Sequence, residues 1–245
     1  MKSNKINILG VHFDAVTMNE ATKLALSFLE DVHKRMIFTA NPEIVMEATK
    51  NSDFLHIINK GDLIVADGIG VVIGSKIIKN PLPERVAGYD LVQNIFKAIK
   101  STEKTVYFFG AAPGIANKAA KRMMHQHNGL KIVGTHDGYF DKEEEQKILL
   151  QINELKPDLL LIGLGAPKQE KWLFDHIEAL NVKVCIGVGG SFDVMSGEIK
   201  RAPKLFIKLG LEWFYRLITQ PTRLKRMMKL PIFLVDVFIH RKEYR

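Results

Sequence analysis

The chain has 245 residues, 47% hydrophobic and 25% charged, a composition that excludes wholesale disorder and allows one large domain with a sizeable core. The net charge is +8, and the whole excess lies in residues 200–245, where twelve Lys and Arg face three acidic residues. This distribution favours a local anionic partner over a generally basic protein. The single cysteine, Cys185, excludes an intrachain disulfide and favours a reducing compartment.

Predicted strands and helices alternate along the chain. The first apolar run predicts one strand over residues 6–13, and the spacing of Thr17 and Glu20 predicts a capping box before a helix ending near His33. Further strands are predicted at residues 36–40, 62–67, 105–110, 130–140, 158–165 and 182–190. Helices are predicted from about Glu43, after Asn41 and Pro42, and at residues 115–124, 141–156 and 168–180.

The predicted strands are continuously apolar rather than alternating, which is typical of strands covered on both faces. We therefore predict an α/β fold, a Rossmann-like and largely parallel sheet with helices on both faces. A basic helical appendage follows a boundary at residues 196–203. The predicted domains are a catalytic α/β domain, 1–195, and an appendage, 196–245, that docks on the membrane and completes the active site.

The sequence contains no recognisable targeting segment. The N-terminus has no long apolar segment with a small-residue cleavage site, and no run of about 18 apolar residues occurs. We therefore expect neither a signal peptide nor a spanning helix, and a cytoplasmic protein.

Ligands of open α/β sheets bind beyond the carboxyl ends of the strands. Polar or flexible residues stand at four such points: Thr39 and Asn41, Asp67, Gly110, and Lys168 with Gln169 at a helix start, which favours an anion. Asp67 could be the N-cap of the next helix or a general base. Thr39 and Asn41 could equally be turn and cap residues.

Known cofactor patterns are missing from the sequence. Neither a P-loop nor a dinucleotide fingerprint occurs, although backbone groups at residues 110–114 could hold a diphosphate. No D-x-D or H-E-x-x-H pattern occurs, so metal-independent chemistry without a cofactor is expected. We expect His125 and His127 to be solvated on a helix surface, and Trp172 and Trp213 to be packing residues.

The basic tail mixes cationic and bulky apolar residues. Arg216, Arg223 and Arg226 would share a helical face if the helix were continuous, although Pro221 interrupts it. One interpretation is a solvated basic face packed on the body. The other is a segment that binds an anionic membrane surface. No nucleic-acid motif occurs, so nucleic acid is not an expected partner.

Six motifs occur in a fixed order: FTANPEIV, ADGIGVV, RVAGYDL, FFGAAPG, PDLLLIGLGAPKQEKW and GVGGSFDVMSGEIKRAP, followed by GLEWFYRLITQPTRLKR. Together they resemble the WecG/TagA/CpsF glycosyltransferase family (glycosyltransferase family 26) over nearly the whole chain. The resemblance implies transfer of N-acetylmannosamine from its UDP donor to the 4-hydroxyl of GlcNAc on undecaprenyl diphosphate, a step of wall teichoic acid synthesis. It also implies inversion without a metal, and peripheral association with the inner face of the cell membrane.

The resemblance also implies residue roles. Asp67 would be the catalytic base, with Thr39 in the same pocket, and Asn41, Arg85 and Gln169 would line it. The appendage arginines would be Arg216, Arg223 and Arg226, placed to meet the diphosphates of donor or acceptor.

Several alternatives stay open. A family member could use another donor, such as UDP-N-acetylmannosaminuronic acid, and a non-catalytic nucleotide-binding scaffold at the membrane is a different class. A nicotinamide dehydrogenase is disfavoured by the missing fingerprint. Exposed apolar tail surface could drive self-association in solution, whereas we expect a monomer on the membrane.

Overall fold

The computed structural model describes residues 4–219 and 227–244. The strands in this part of the chain form two sheets. The strands are β1 (Lys5–Ile8), β2 (Val11–Asp14), β3 (Arg35–Ala40), β4 (Leu63–Ala66), β5 (Thr105–Gly110), β6 (Lys131–His136), β7 (Leu159–Gly163) and β8 (Val184–Gly187). β1 and β2 pair as an antiparallel hairpin. The other six form a parallel sheet in the order β4-β3-β8-β7-β5-β6, so the predicted parallel α/β fold is confirmed.

Helices cover this sheet and form the C-terminal segment. They are α1 (Met18–Leu29), α2 (Pro42–Ala48), α3 (Ser52–Asn59), α4 (Ile69–Ile77), α5 (Gly88–Ile99), α6 (Ile115–Gln126), α7 (Lys142–Leu155), α8 (Lys168–His176), α9 (Ser191–Ser196), α10 (Lys204–Lys208), α11 (Glu212–Thr219) and α12 (Lys229–His240). The capping box of α1 is confirmed, since Thr17 and Glu20 each accept the other's backbone N–H, but α1 ends at Leu29 rather than near His33.

Successive residues of each central strand enter different cores. On β3, Phe38 packs in one core and Ile37 in the other, and on β5 the same holds for Phe109 and Phe108. Because side chains alternate across a strand, both faces must be apolar where helices cover both. This explains why the strands have continuous apolar sequences.

The first strand and one histidine differ from the sequence predictions. Residues 6–13 form two strands, because Leu9 and Gly10 have φ angles of 50° and 89° and make the tight turn of a hairpin. The side-chain oxygen of Asn7 accepts the Gly10 N–H at 2.8 Å and supports this turn. His127 is 4% exposed rather than solvated, and its Nε2 lies 2.9 Å from Oε1 of Gln93, whereas His125 is exposed as expected.

The last helix packs back onto the body. Phe233 and Val237 of α12 are buried in the core that α2 and α4 share. A Cβ at Gly74 of α4 would lie 3.0 Å from Cζ of Phe233, so glycine permits this close approach. The division at residue 196 stays a prediction. Within the described residues, no helix is both long and apolar enough to span a bilayer.

Candidate active site

A cavity of about 560 Å³ opens at the carboxyl ends of the parallel strands. Its walls come from the residues that end or follow five of the six strands: Thr39 and Asn41 after β3, Asp67 after β4, Ala111 after β5, Gly163–Ala166 after β7, and Val188–Ser191 after β8. Four residues predicted from strand ends and motifs, Thr39, Asn41, Asp67 and Gln169, therefore line one cavity, as does Arg85.

Asp67 is half-buried and stands directly after β4. Its backbone N–H donates to the carbonyl oxygen of Ala40 at 2.9 Å, which extends the β3–β4 pairing by one residue. Gly68, with φ of 143°, occupies the N-cap position of α4 and supplies no side-chain cap. The N-cap interpretation of Asp67 is therefore wrong, and Asp67 forms part of the cavity wall.

Thr39 and Asn41 hold the wall on the β3 side. The Thr39 side chain is buried, and its hydroxyl donates to the carbonyl oxygen of Gly187 at 2.9 Å. Asn41 is the N-cap of α2, since its Oδ1 accepts the Ile44 N–H at 3.1 Å and Pro42 follows at the first helical position. Asn41 thus has the predicted cap role and lines the cavity as well.

Gln169 is only 4% exposed, yet it reaches the cavity. Its Oε1 accepts the backbone N–H of Gly189 at 3.0 Å, and its Nε2 donates to Oε1 of Glu170 at 2.7 Å. Lys168, next to it, contacts a second cavity of about 580 Å³ that shares Ala111 and Tyr139 with the first.

Arg85 joins the body to the C-terminal segment. Its Nη2 donates to Oε2 of Glu212, on α11, at 3.0 Å, and the two side chains are only 15% and 14% exposed. Both residues line the cavity. The ion pair therefore holds α11 at the cavity wall.

Arg201 also lines the cavity, and the sequence analysis did not single it out. Its guanidinium lies over the Tyr89 ring at 4.5 Å, and Nη2 donates to Oδ2 of Asp90 at 2.6 Å. Burial lowers the pKa of Arg201, but the hydrogen bond and charge of Asp90, together with the charges of Glu212 and Tyr89, raise it above its ordinary value. Only its place inside the GEIKRAP motif could have indicated a role, because the segment has no helical or strand periodicity.

Gly110, a predicted site residue, does not line either cavity, and it instead allows two strands to lie close together. A Cβ there would lie 2.5 Å from the backbone of Gly163, and φ is 131°, so glycine allows β5 and β7 to approach. Of the predicted backbone cradle at residues 110–114, Ala111 lines the main cavity, and Ala112 joins it in the second.

The C-terminal segment contributes Trp213, Met227 and Leu230 to the cavity. Trp213, expected to be a packing residue, is half-buried and also lines the cavity, whereas Trp172 is buried beside Phe109 as expected. Arg216 lies on α11, and its side chain is not described. Arg223 and Arg226 lie outside the described residues.

The described wall of the main cavity carries more acidic than basic side chains. Four carboxylates line the main cavity, those of Glu43, Asp67, Asp193 and Glu212. Two guanidinium groups, of Arg85 and Arg201, line it as well, and each donates to a carboxylate. Within residues 4–219 and 227–244, no group of three or more His, Cys, Asp or Glu is arranged to hold a metal ion.

Residues 6–245 match the family described as "Glycosyl transferase WecG/TagA/CpsF family". The chain belongs to this family, and it is a glycosyltransferase. The N-acetylglucosaminyldiphosphoundecaprenol N-acetyl-beta-D-mannosaminyltransferase of Bacillus spizizenii is 36% identical over 242 residues, which cover 99% of this chain and 93% of that protein. The protein of the same name from Staphylococcus aureus strain MRSA252 is 37% identical over 235 residues, covering 95% of this chain and 92% of that one.

Proposed function

We propose that this enzyme transfers N-acetylmannosamine from UDP-N-acetylmannosamine to the 4-hydroxyl of GlcNAc on undecaprenyl diphosphate, in wall teichoic acid linkage-unit synthesis. The similarity to two transferases of that name, across nearly the full length of each chain, carries the proposal. The cavity supports it, because Asp67, whose carboxyl group is suited to activate a hydroxyl, lines it among several glycines at the carboxyl edge of the sheet.

Asp67 is the proposed general base. It accepts the proton of the acceptor hydroxyl while that oxygen bonds to the anomeric carbon and the bond from this carbon to the diphosphate breaks. UDP leaves with the electron pair, and attack opposite the leaving group inverts the anomeric configuration. Thr39, Asn41 and Gln169 shape the wall in which this exchange takes place.

The leaving diphosphate needs positive charge. Both guanidinium groups of the described wall already bind carboxylates, so we assign the additional cations to Arg216, Arg223 and Arg226. Two observations support this assignment. Trp213 and Met227, which stand on either side of this segment in the sequence, both line the cavity, and Met227 directly follows Arg226.

The C-terminal segment, residues 196–245, is also proposed to bind the membrane. Its helices expose large apolar side chains: Leu205, Leu209, Phe214, Ile218, Ile232, Val235, Phe238 and Ile239. Apolar residues beside clustered cations suit the surface of an anionic bilayer, where the lipid-linked acceptor resides. We therefore place the enzyme at the inner face of the cell membrane.

The test is a donor screen with the full-length chain and lipid-linked GlcNAc in anionic vesicles. UDP-N-acetylmannosamine, UDP-GlcNAc and UDP-N-acetylmannosaminuronic acid are compared by UDP release and by the mass of the lipid product. We expect the first donor to be used best. Preference for the uronic acid donor would replace the proposed substrate, and UDP binding without any transfer would indicate a scaffold.

Arg223→Glu separates the two tasks of the basic segment. With a water-soluble acceptor analogue and no membrane, it should still lower turnover strongly, because the diphosphate loses a cation. The matched control is Lys242→Glu, the same charge change at an exposed position near the C-terminus. If Arg223→Glu impairs vesicle binding alone, this arginine contacts lipid headgroups rather than the leaving group.

A further inference from the structure

A hydrogen-bond chain runs behind the cavity wall from α8 to the loop after β8. The Gly189 N–H donates to Oε1 of Gln169 at 3.0 Å, and Nε2 of Gln169 donates to Oε1 of Glu170 at 2.7 Å. Because a backbone N–H can only donate, the amide oxygen of Gln169 must face Gly189, and its nitrogen then faces Glu170. These two partners determine the orientation of the Gln169 amide.

Glu170 is an unusual residue for this position, because it is a carboxylic acid only 1% exposed. Its Oε2 is buried and has no hydrogen-bond partner among the described residues. Burial, with a smaller contribution from the Glu43 carboxylate, raises the pKa of Glu170 to about 7, against the lowering effect of the hydrogen bonds from Gln169 and from the Glu170 backbone. Below about pH 7 the neutral carboxyl group therefore predominates, and its carbonyl oxygen can accept the hydrogen bond from Gln169.

The end of β8 ties this chain to the opposite wall. Gly187 accepts the Thr39 hydroxyl at 2.9 Å, and a Cβ at Gly187 would lie 2.9 Å from Nε2 of Gln169. Residues 187–189 thus contact two predicted site residues, one from β3 and one from α8. A shift of the Gln169 amide would alter the wall that both share.

We propose that Glu170 is a positioning residue for sugar transfer: it holds the Gln169 amide, and through it the Gly189 backbone, in the geometry that the substrates meet. This inference rests on the proposed function, since it takes the cavity to be the place of transfer. Glu170 itself touches no substrate. Its effect on turnover passes entirely through Gln169.

The experiment is a double-mutant cycle on kcat and donor KM with five proteins: wild type, E170Q, E170M, Q169A and Q169A/E170M. Glutamine at 170 keeps an acceptor, so E170Q should stay within about threefold of wild type. Methionine fills a similar volume but accepts no bond from Nε2, so E170M should lower kcat roughly 10- to 100-fold through misplacement of the wall. In the Q169A background, E170M should have no further effect.

A second readout does not depend on activity. The side-chain NH₂ signal of Gln169, assigned by its loss in Q169A, should exchange slowly with solvent in wild type and E170Q and rapidly in E170M. If E170M does not fold, G187A provides the same test from the other side, because its methyl group displaces the Gln169 amide. Its loss of kcat should likewise vanish in the Q169A background.

The proposal is overturned if E170M or G187A lowers kcat by the same factor with and without Gln169, or if E170M leaves both kcat and the exchange rate unchanged. If wild-type enzyme transfers no sugar at all, the proposed function fails by itself, and the exchange rates still decide whether Glu170 holds Gln169.

Discussion

Replacing Glu170 with glutamine should remove a pH dependence of stability. Burial raises the pKa of Glu170 from 4.5 to about 7, so between these values the native state keeps a proton that the unfolded chain has released. The stabilisation is complete below pH 4.5 and is lost as the pH rises through about 7. At about 1.4 kcal/mol per pKa unit, the loss amounts to about 3 kcal/mol.

Urea unfolding of wild type and Glu170→Gln at several pH values between 4.5 and 8 measures this loss. The free energy of unfolding of the variant should rise relative to wild type by about 3 kcal/mol over that range. Taking the difference cancels the contributions of the shared groups that do not interact with position 170. Glu154→Gln, at an exposed position of α7, is the control and should give a flat difference. A flat difference for Glu170→Gln would refute the assignment of a buried, proton-bearing carboxyl group.

Three further predictions concern the packing around the site. Arg85→Gln and Glu212→Gln should each destabilise the protein, and their double mutant should show a coupling of roughly 0.5–3 kcal/mol in unfolding; strictly additive effects would mean that the ion pair does not hold α11. Phe233→Ala should cost about 3–5 kcal/mol, whereas Phe238→Ala, 55% exposed on the same helix, should cost far less; equal costs would contradict the docking of α12. Gly110→Ala should lower the thermal midpoint, because the new Cβ meets the backbone of β7 in a left-handed conformation; an unchanged midpoint would show that the strands can separate without cost.

Much of the site could be predicted because parallel strands end at one edge. The positions of Thr39, Asn41 and Asp67 after two apolar runs were sufficient to bring them together once the sheet was assumed parallel. Gln169 was predicted by the same argument, because it stands at the start of α8, the helix that follows β7. Local sequence did not decide the role of Asp67, since capping and catalysis need the same kind of residue at the same point.

Residues whose role depends on tertiary contacts were missed. Glu170 occurs in a helix start rich in charged residues, so nothing local indicates that its carboxyl group is buried by the surrounding fold. Arg201 lies in an irregular segment and meets Asp90 across 111 positions of sequence. The hairpin at Leu9 was missed for another reason: a non-glycine residue with positive φ precedes Gly10, so the usual Asn-Gly turn signal is missing.

The central claim is that Asp67 removes the proton of the acceptor hydroxyl, and the turnover of Asp67→Asn tests it most directly. The change keeps the shape of the side chain but removes the base, so kcat with UDP-N-acetylmannosamine and lipid-linked GlcNAc should fall by about 10²- to 10⁴-fold. UDP affinity, measured by calorimetry on the same preparation, should stay close to that of wild type. Turnover near the wild-type rate would contradict the account.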